Sequence, residues 1–380
     1  MAQEHVRYPL ARIGIVGGGQ LGKMMTQKAK KMGFYVTILD PTPHSPAGQV
    51  ADRQIVGDFY AESKLQELVE TSDVTTYDIE HIDVQVLKRL YDEGHRIHPS
   101  PYVLEIIQDK LAQKDLLANK GLPVPQYLKV DSPACLERLG FPVVQKARKG
   151  GYDGRGVVVL KGKEDIAQAI RTESFIEVFI EYDKELAVMV ARSLTGEMKC
   201  YPVVEMVFEA AANICDMVIA PARIEKEIEE QAKKVAVGAV EALNGVGILG
   251  VEMFLANGSV LINEIAPRPH NSGHYTIEAC VTCQFEQHIR AISGLPLGET
   301  TLLSPAVMVN LLGSEGYAGP PLLEGLREAL SIPGLSFHFY GKRETRPFRK
   351  MGHVTILDEN LDRAIEKAQR TRALLKVKAG

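Results

Sequence analysis

Two acids, Glu252 and Glu264, stand twelve residues apart on β-rich runs joined by Asn257-Gly258. That turn dipeptide folds such runs back on each other as a hairpin. Side chains on paired strands share a face only when they lie opposite or an even number of places away. A two-residue loop at Asn257-Gly258 would set Glu252 opposite Asn263 and turn Glu264 to the other face. A three-residue loop, Asn257-Gly258-Ser259, or a bulge sets the two acids opposite each other. The odd loop is the expectation, because a Gly able to take φ > 0 forms it easily. Neighbouring carboxylates repel unless a proton or a cation lies between them. Oxygen-only ligands suit Mg²⁺, which is held by one or two carboxylates together with substrate phosphates. The plain alternative is a solvated hairpin face with two unrelated acids.

Residues 263–274, NEIAPRPHNSGH, follow directly. Arg268, His270, Asn271, Ser272 and His274 crowd a stretch too irregular for helix or strand, the pattern of a binding loop on a rigid scaffold. Its guanidinium, amide, hydroxyl and imidazoles suit an anionic, polar ligand beside the metal. A second cluster, FPVVQKARKGGYDGRGVVVL, places two β runs around Gly150, Gly151, Gly154 and Gly156, with Lys146, Arg148, Lys149 and Arg155 beside them. Exposed backbone N–H groups with adjacent cations make a phosphate cradle that can move as a lid. GxxxxGK[ST] is absent, so it is not a Walker loop. The run FIEVFIEYDKELAVMVA is strand-like, and its Glu177, Glu181 and Glu185 are suited to the adenine and ribose of a nucleotide lying under that loop. Near the end, Lys342, Arg343, Arg346, Arg349 and Lys350 fall within nine residues on a turn between strands. A charge run is usually a solvated face; here a phosphate monoester is a plausible client.

The elements that must hold these groups begin with a strand at residues 12–17, a helix opening at GGGQLG (17–22) and a second strand ending in Asp40. Taken alone this favours NAD(P). The same geometry serves any ligand that needs close backbone approach and a helix N-terminus. Only about one more round of strand and helix follows, to about residue 101, which is short for a complete dinucleotide site. Glu80 lies at the carboxyl end of a predicted strand, where open α/β sheets bind ligands. One amphipathic helix is expected over 102–120, a boundary at the prolines of KGLPVPQY, and helices over 164–170, 224–243, 276–293 and 361–375, with strands at 306–312 and 335–340.

At 380 residues, with roughly 100 to 200 per domain, two or three domains are expected. Net charge −4 disfavours nucleic acid as an obligatory partner. Five cysteines without framework spacing suggest reduced thiols, and Cys280 and Cys283, a lone CxxC, read as packing residues. The first residues are too polar for a secretory leader, and no apolar run approaches the ~18 residues of a membrane span. A cytoplasmic protein is the expectation.

Taken together, GGGQLG (17–22), GGYDGRG (150–156), NEIAPRPHNSGH (263–274) and RKMGH (349–353) resemble the N5-carboxyaminoimidazole ribonucleotide synthetase family of ATP-grasp enzymes, from about residue 12 to 357. The resemblance implies a mixed α/β and α+β architecture: an ATP-grasp fold with an N-terminal Rossmann-like (pre-ATP-grasp) domain at 1–107. The ATP-grasp domain would span 108–298, with a glycine-rich lid at about 122–183, and a small mixed C-terminal domain 299–380. It implies carboxylation of 5-aminoimidazole ribonucleotide with ATP, Mg²⁺ and bicarbonate. ATP contacts would fall to Lys110, Lys146, Gly151, Tyr152, Asp153, Gly154, Arg155, Gly156, Val157, Glu177, Val178, Phe179, Ile180, Glu185, Asn263 and Glu264, and metal ligation to Glu252 and Glu264. Substrate contacts would fall to Gln20, Glu80, Tyr152, Asp153, Arg155, Arg268, His270, Asn271 and Ser272, with Lys342 and Arg349 on the ribotide phosphate. Arg268, Asp153, Arg155 and Lys146 would be catalytic. A homodimer and a hand-off to the carboxyaminoimidazole ribonucleotide mutase are further implications. Phe208, Val157 and Phe348 depart from residues common in the family. The rivals are formate-dependent glycinamide ribonucleotide transformylation or another carboxylate–amine ligation, an NAD(P)-dependent oxidoreductase, and a nucleotide-binding regulator without turnover.

Overall fold

Alternating strand and helix patterns build the amino-terminal unit, as parallel sheets require. In the computed structural model, which describes residues 8, 9, 11–150, 156–209 and 214–380, this unit runs β1 (Arg12–Val16), α1 (Gln20–Lys31), β2 (Tyr35–Asp40), β3 (Arg53–Val56), α2 (Glu62–Glu70), β4 (Val74–Tyr77) and α3 (Val84–Asp92). Its parallel strands lie in the order β3-β2-β1-β4. The short strand β3 is an addition to the pattern read from sequence. Asp40 is buried, and its carboxylate accepts from the N–H groups of Gly18 (2.8 Å) and Thr42 (2.8 Å). The acid that would hold a nicotinamide cofactor's ribose is thus turned inward.

The single helix expected over 102–120 is two, α4 (Pro101–Gln108) and α5 (Lys110–Asn119). Asp109 breaks it by leaving the helical region (ψ 101°) so that its carboxylate can cap the Leu111 and Ala112 N–H groups, a bonding option that short acidic side chains offer outside helix interiors. A lid sheet follows, β5 (Tyr127–Val130), β6 (Val143–Ala147), β7 (Val157–Leu160) and β8 (Ser174–Val178), ordered β5-β8-β6-β7. The helix expected at 164–170 is a 3₁₀ turn, Lys163–Gln168.

The remaining strands form a large sheet with β9 (Lys184–Arg192), β10 (Met198–Cys200), β11 (Val204–Glu209), β12 (Ile214–Ala220), β13 (Gly247–Ala256), β14 (Ser259–Ala266) and β15 (Ala306–Leu312). Past a small pair, β16 (Pro321–Glu324) with β19 (Lys376–Ala379), the sheet continues in β17 (Leu335–Phe339) and β18 (Lys350–Leu357). Among the described residues its order is β14-β13-β9-β11-β12-β15-β18-β17, with β10 beside β9. Helix α6 (Lys226–Leu243) buries Ala232, Ala236, Ala239 and Val240 against β9, β13 and β14, and stops at Asn244 in the left-handed region. The helix expected at 276–293 is interrupted: α7 (Thr276–Ala279) and α8 (Gln284–Ile292) flank an extended Cys280 that bridges Leu302. Cys280 and Cys283 are buried and unpaired. Helices α9 (Leu326–Leu330) and α10 (Leu361–Leu374) complete the chain. No helix among the described residues is long and apolar enough to cross a membrane.

The β13–β14 loop corrects the sequence expectation. Ala256 pairs with Ser259, leaving a two-residue loop, and both Asn257 (φ 50°) and Gly258 (φ 73°) are left-handed. Such a turn carries the twist of the strands it joins, which makes it preferable to the odd loop. A Cβ added at Gly258 would meet nothing within 4 Å, so Gly258→Ala isolates the backbone cost of an L-residue at positive φ, about 1 kcal/mol. Thermal or urea unfolding should show this loss. A midpoint equal to wild type would contradict the turn geometry.

Candidate active site

Glu252 and Glu264 are nevertheless directly opposite. The register shifts between Glu252 and Met253, and Asn263 is the extra residue on β14. A bulge, not the loop, brings the acids onto one face. The bulge also frees the Asn263 side chain, whose Oδ1 accepts from Lys146 Nζ (3.0 Å). The hairpin tip is tied to the β8–β9 connector, since Asp183 N–H donates to Leu255 O (2.8 Å) and Asn257 N–H to Asp183 Oδ2 (3.1 Å).

Helix α5 grips β14 with one face. Gln113 Oε1 accepts from Ile265 N–H (3.0 Å), Lys110 forms an ion pair with Glu264, and Lys114 donates to the carbonyls of Ile262 (3.3 Å) and Asn263 (3.2 Å). Positions three and four apart on a helix share a face, so all three residues reach the same strand. Lys110 N–H donates to Arg148 O (2.8 Å), and Arg148 pairs with the capping Asp109. Glu177, at the end of β8, receives Lys114 (2.7 Å) and Lys146 (2.7 Å), with the Lys114 and Glu177 side chains each only 3% exposed. Burial opposes ionisation of Glu177, but the two lysines hold its carboxyl below the usual range.

The paired acids are unequal. The Glu252 side chain is 14% exposed and that of Glu264 44%. Lys110 holds Glu264 well below the ordinary carboxylate range, whereas burial, and then the charge of Glu264, pushes Glu252 up. Glu252 also meets His270 Nε2 at 3.3 Å. Among the described residues no group of three His, Cys, Asp or Glu side chains could hold a metal ion. A cation here would find two carboxylates and take its other ligands from a bound molecule or water. That oxygen-only, incomplete set fits Mg²⁺.

These residues line a cavity of about 900 Å³. One wall is lid and connector: Lys146, Gly150, Val157, Glu177, Val178, Phe179, Ile180 and Glu185. Val178 and Phe179 donate their N–H groups to Gln126 O (2.9 Å) and Pro142 O (3.3 Å), so the lid's own backbone shapes this slot. Glu185 is buried and its carboxyl raised, chiefly by that burial. Glu181 is exposed and outside the cavity, so of the three acids read as nucleotide contacts Glu177, engaged by its two lysines, and Glu185 line it. Gly151, Tyr152, Asp153, Gly154 and Arg155 lie outside the described residues; Gly156, with φ 73°, is the first described residue after them.

The other wall is the 268–271 loop. Arg268 pairs with Glu80 (2.7 Å), and Asn271 Nδ2 is buried without a hydrogen-bond partner. Gln284, at the start of α8, brackets His270 by accepting from its N–H (2.9 Å) and donating to its O (2.8 Å). Ser272 departs from its expected role as a substrate contact. Its side chain is fully buried and bonded to His270 Nδ1 (3.0 Å) and Met189 Sδ (3.6 Å), so it supports the imidazole. Gln20, Lys342 and Arg349 stand off this cavity, whereas Lys350 lines it. Lys342 Nζ donates to Lys350 O (2.6 Å), and their loop docks on α1 and its neighbour through Lys23 Nζ to Tyr340 O (2.9 Å) and Gln49 Nε2 to Gly341 O (3.1 Å). Sequence reasoning assigned no site role to Lys114 or Gln284, and read Lys350 only as one member of the basic run with a phosphate client. The four-residue spacing from Lys110 was the available signal for Lys114.

A lid sheet facing a hairpin of metal-ligating type across a nucleotide-sized cavity defines an ATP-grasp enzyme. The ATP-grasp domain family matches residues 115–285, the ribonucleotide synthetase preATP-grasp domain 10–108, and the phosphoribosylaminoimidazole carboxylase C-terminal domain 306–367. The N5-carboxyaminoimidazole ribonucleotide synthase of Bacillus subtilis is 42% identical over 373 residues, covering 96% of each chain. The crystal structure of the corresponding synthetase from Thermotoga maritima matches with TM-score 0.92 and 62% identity over 97% of this chain and 100% of that one. The Aspergillus clavatus enzyme in complex with ADP and 5-aminoimidazole ribonucleotide matches with TM-score 0.89 and 33% identity, over 97% and 99%. The chain belongs to the N5-carboxyaminoimidazole ribonucleotide synthase family.

Removing Glu177 would leave two buried ammonium groups without their shared counter-charge. Loss of one partner of a buried ion pair costs roughly 3–5 kcal/mol, so Glu177→Gln should lower the unfolding free energy by about that amount. Lys114→Met should cost less, because Glu177 keeps Lys146. Equal losses in the two variants, read by urea unfolding, would refute the shared-charge arrangement.

Proposed function

We propose that this ATP-dependent ligase carboxylates the amine of 5-aminoimidazole ribonucleotide, consuming ATP and bicarbonate and giving ADP, phosphate and the N5-carbamate, a step of purine biosynthesis. The observation that carries this reading is the opposed Glu252–Glu264 pair, which shares one cavity with the connector and with the Arg268–His270 loop. Family membership over nearly the whole chain supports it.

Bicarbonate is a poor electrophile. Transfer of the γ-phosphoryl group to one of its oxygens, with ADP leaving, gives carboxyphosphate. The substrate amine then forms the C–N bond as phosphate departs and the amine loses a proton. Phosphoryl transfer demands positioning and charge neutralisation more than covalent help from the protein. Mg²⁺ held by Glu252 and Glu264 would supply part of that neutralisation. Lys110 and Lys146 reach the same space, each held by a carboxylate or amide that fixes its direction. The connector from Glu177 to Ile180 and Glu185 would take the adenosine, with Asn263 and the lid glycines beside the phosphates. Arg268 is suited to bicarbonate and to the oxygens in transfer, and Glu80 fixes its guanidinium. Closure of the lid, with Tyr152, Asp153 and Arg155, would keep water from the mixed anhydride. Gln20, His270, Asn271, Lys342 and Arg349 complete the ribotide site in this reading, with Ser272 behind His270. In this reading the chain divides into domains at 1–107, 108–298 and 299–380. On the family resemblance we further read the enzyme as a cytoplasmic homodimer that hands its labile product to a mutase.

Labelled bicarbonate tests the reaction: label should appear in the carbamate only with both ATP and the aminoimidazole ribotide present, and ADP release should not respond to formate as substrate. Glu264→Gln removes a charge from the acid pair and should abolish ATP turnover, by about a thousandfold if it acts as other lost electrostatic stabilisers do, with unfolding behaviour preserved. Turnover at the wild-type rate would refute the metal assignment.

A further inference from the structure

The GGGQLG turn has the glycines of a phosphate-binding fingerprint, yet a carboxylate of the chain itself occupies the position they surround. Asp78 directly follows β4, and its Oδ2 accepts from the N–H of Gly22 in the first turn of α1 (2.8 Å). All three fingerprint glycines face this group. A Cβ at Gly17, already at φ 103°, would land on Asp78 Oδ1, and Cβ atoms at Gly22 and Gly19 would lie 2.9 and 3.2 Å from Oδ2. In dinucleotide-binding folds those glycines let a pyrophosphate reach the helix N-terminus. Here they let a side chain do so. Burial raises the Asp78 carboxyl to about 6, with the Gly22 N–H and nearby Arg268 opposing that rise, so at neutral pH it is predominantly an anion at the positive end of the α1 dipole.

The contact ties two segments that each carry a residue assigned to the substrate in the carboxylation reading, Gln20, which stands off the cavity, and Glu80, which lines it. Gln20 lies two residues before Gly22, and Glu80 lies two residues after Asp78. Glu80 in turn holds Arg268 (2.7 Å), while Gln108 Nε2 fixes the backbone beyond Asp78 through Glu80 O (2.7 Å) and Ile82 O (2.9 Å). We propose that Asp78 is a positioning residue for the amine substrate. Its carboxylate fills the anion seat at the start of α1 in place of a ligand phosphate, and so sets Gln20 and the Glu80–Arg268 pair in register with each other. The same occupancy denies the amino-terminal domain to a dinucleotide. This inference rests on the carboxylation reading above.

The test is steady-state kinetics of Asp78→Ala, with wild type assayed in parallel. Loss of one charge-assisted hydrogen bond should raise KM for the aminoimidazole ribotide about tenfold, with KM for ATP unchanged. Formate, which matches the carboxylate that this substitution removes, should bring the ribotide KM back toward wild type while leaving wild-type kinetics unaltered. A merely structural role would raise both KM values and give no response to formate. That result, or a ribotide KM equal to wild type, overturns the proposal. If Asp78→Ala does not fold, Asp78→Asn reads the same KM split, and failure of both to fold likewise counts against a positioning role. Absence of ribotide-dependent turnover in wild type would instead sink the carboxylation reading itself.

Discussion

Two carboxylates held face to face are an electrostatic cost that the rest of the structure must offset. The antiparallel register of β13 and β14 permits the arrangement only because one residue, Asn263, is bulged out beside Glu264. Repulsion is then relieved unequally. Lys110 comes from α5 and keeps Glu264 ionised, while Glu252 is less exposed and is driven toward its neutral form. One acid remains open to the cavity, which is what a ligand for a hard cation requires.

The Glu177 cluster serves a different end. Glu177 ends a lid strand, Lys146 belongs to its neighbour β6, and Lys114 belongs to α5, which is clamped to the hairpin. A buried acid with two bases is therefore the point at which lid sheet, helix and acidic hairpin share a charge balance. Such clusters contribute little net stability relative to apolar packing, but they penalise any arrangement that separates the partners. Their value here is orientation: the Lys146 ammonium meets Glu177 and Asn263 Oδ1 at once, which fixes its direction.

Much of this site is legible in the sequence, because its chemistry is concentrated in local motifs. The hairpin acids, Arg268, His270, Asn271, Glu80 and Glu185 all line the cavity. What escaped sequence reasoning depended on competition between local options or on distant partners. The bulge and the odd loop satisfy the same parity rule, and only the strand twist at Asn257-Gly258 decides between them. Asp109 looks like an ordinary helical position until its carboxylate is seen capping α5 and pairing with Arg148. Ser272 carries a ligand-like hydroxyl, yet it is enclosed by Met189 from another strand. The dinucleotide fingerprint was ambiguous in the sequence because its glycines report a close approach without saying what approaches.

The large sheet accounts for the participation of the carboxyl-terminal residues. Five steps separate β13 from β18 along its hydrogen-bonded order, a distance of about 24 Å if the sheet were flat. Yet Lys350, the first residue of β18, lines the cavity with Glu252, and its positive charge lowers the Glu252 carboxyl's resistance to ionisation. The sheet must therefore curl back toward the hairpin, as large twisted sheets do when they cannot extend flat. That curl also brings the loop holding Lys342 and Arg349 against α1 and Gln49. The acidic hairpin and the basic loop are thus two ends of one hydrogen-bonded surface, and the cavity's geometry follows from how strongly that surface bends.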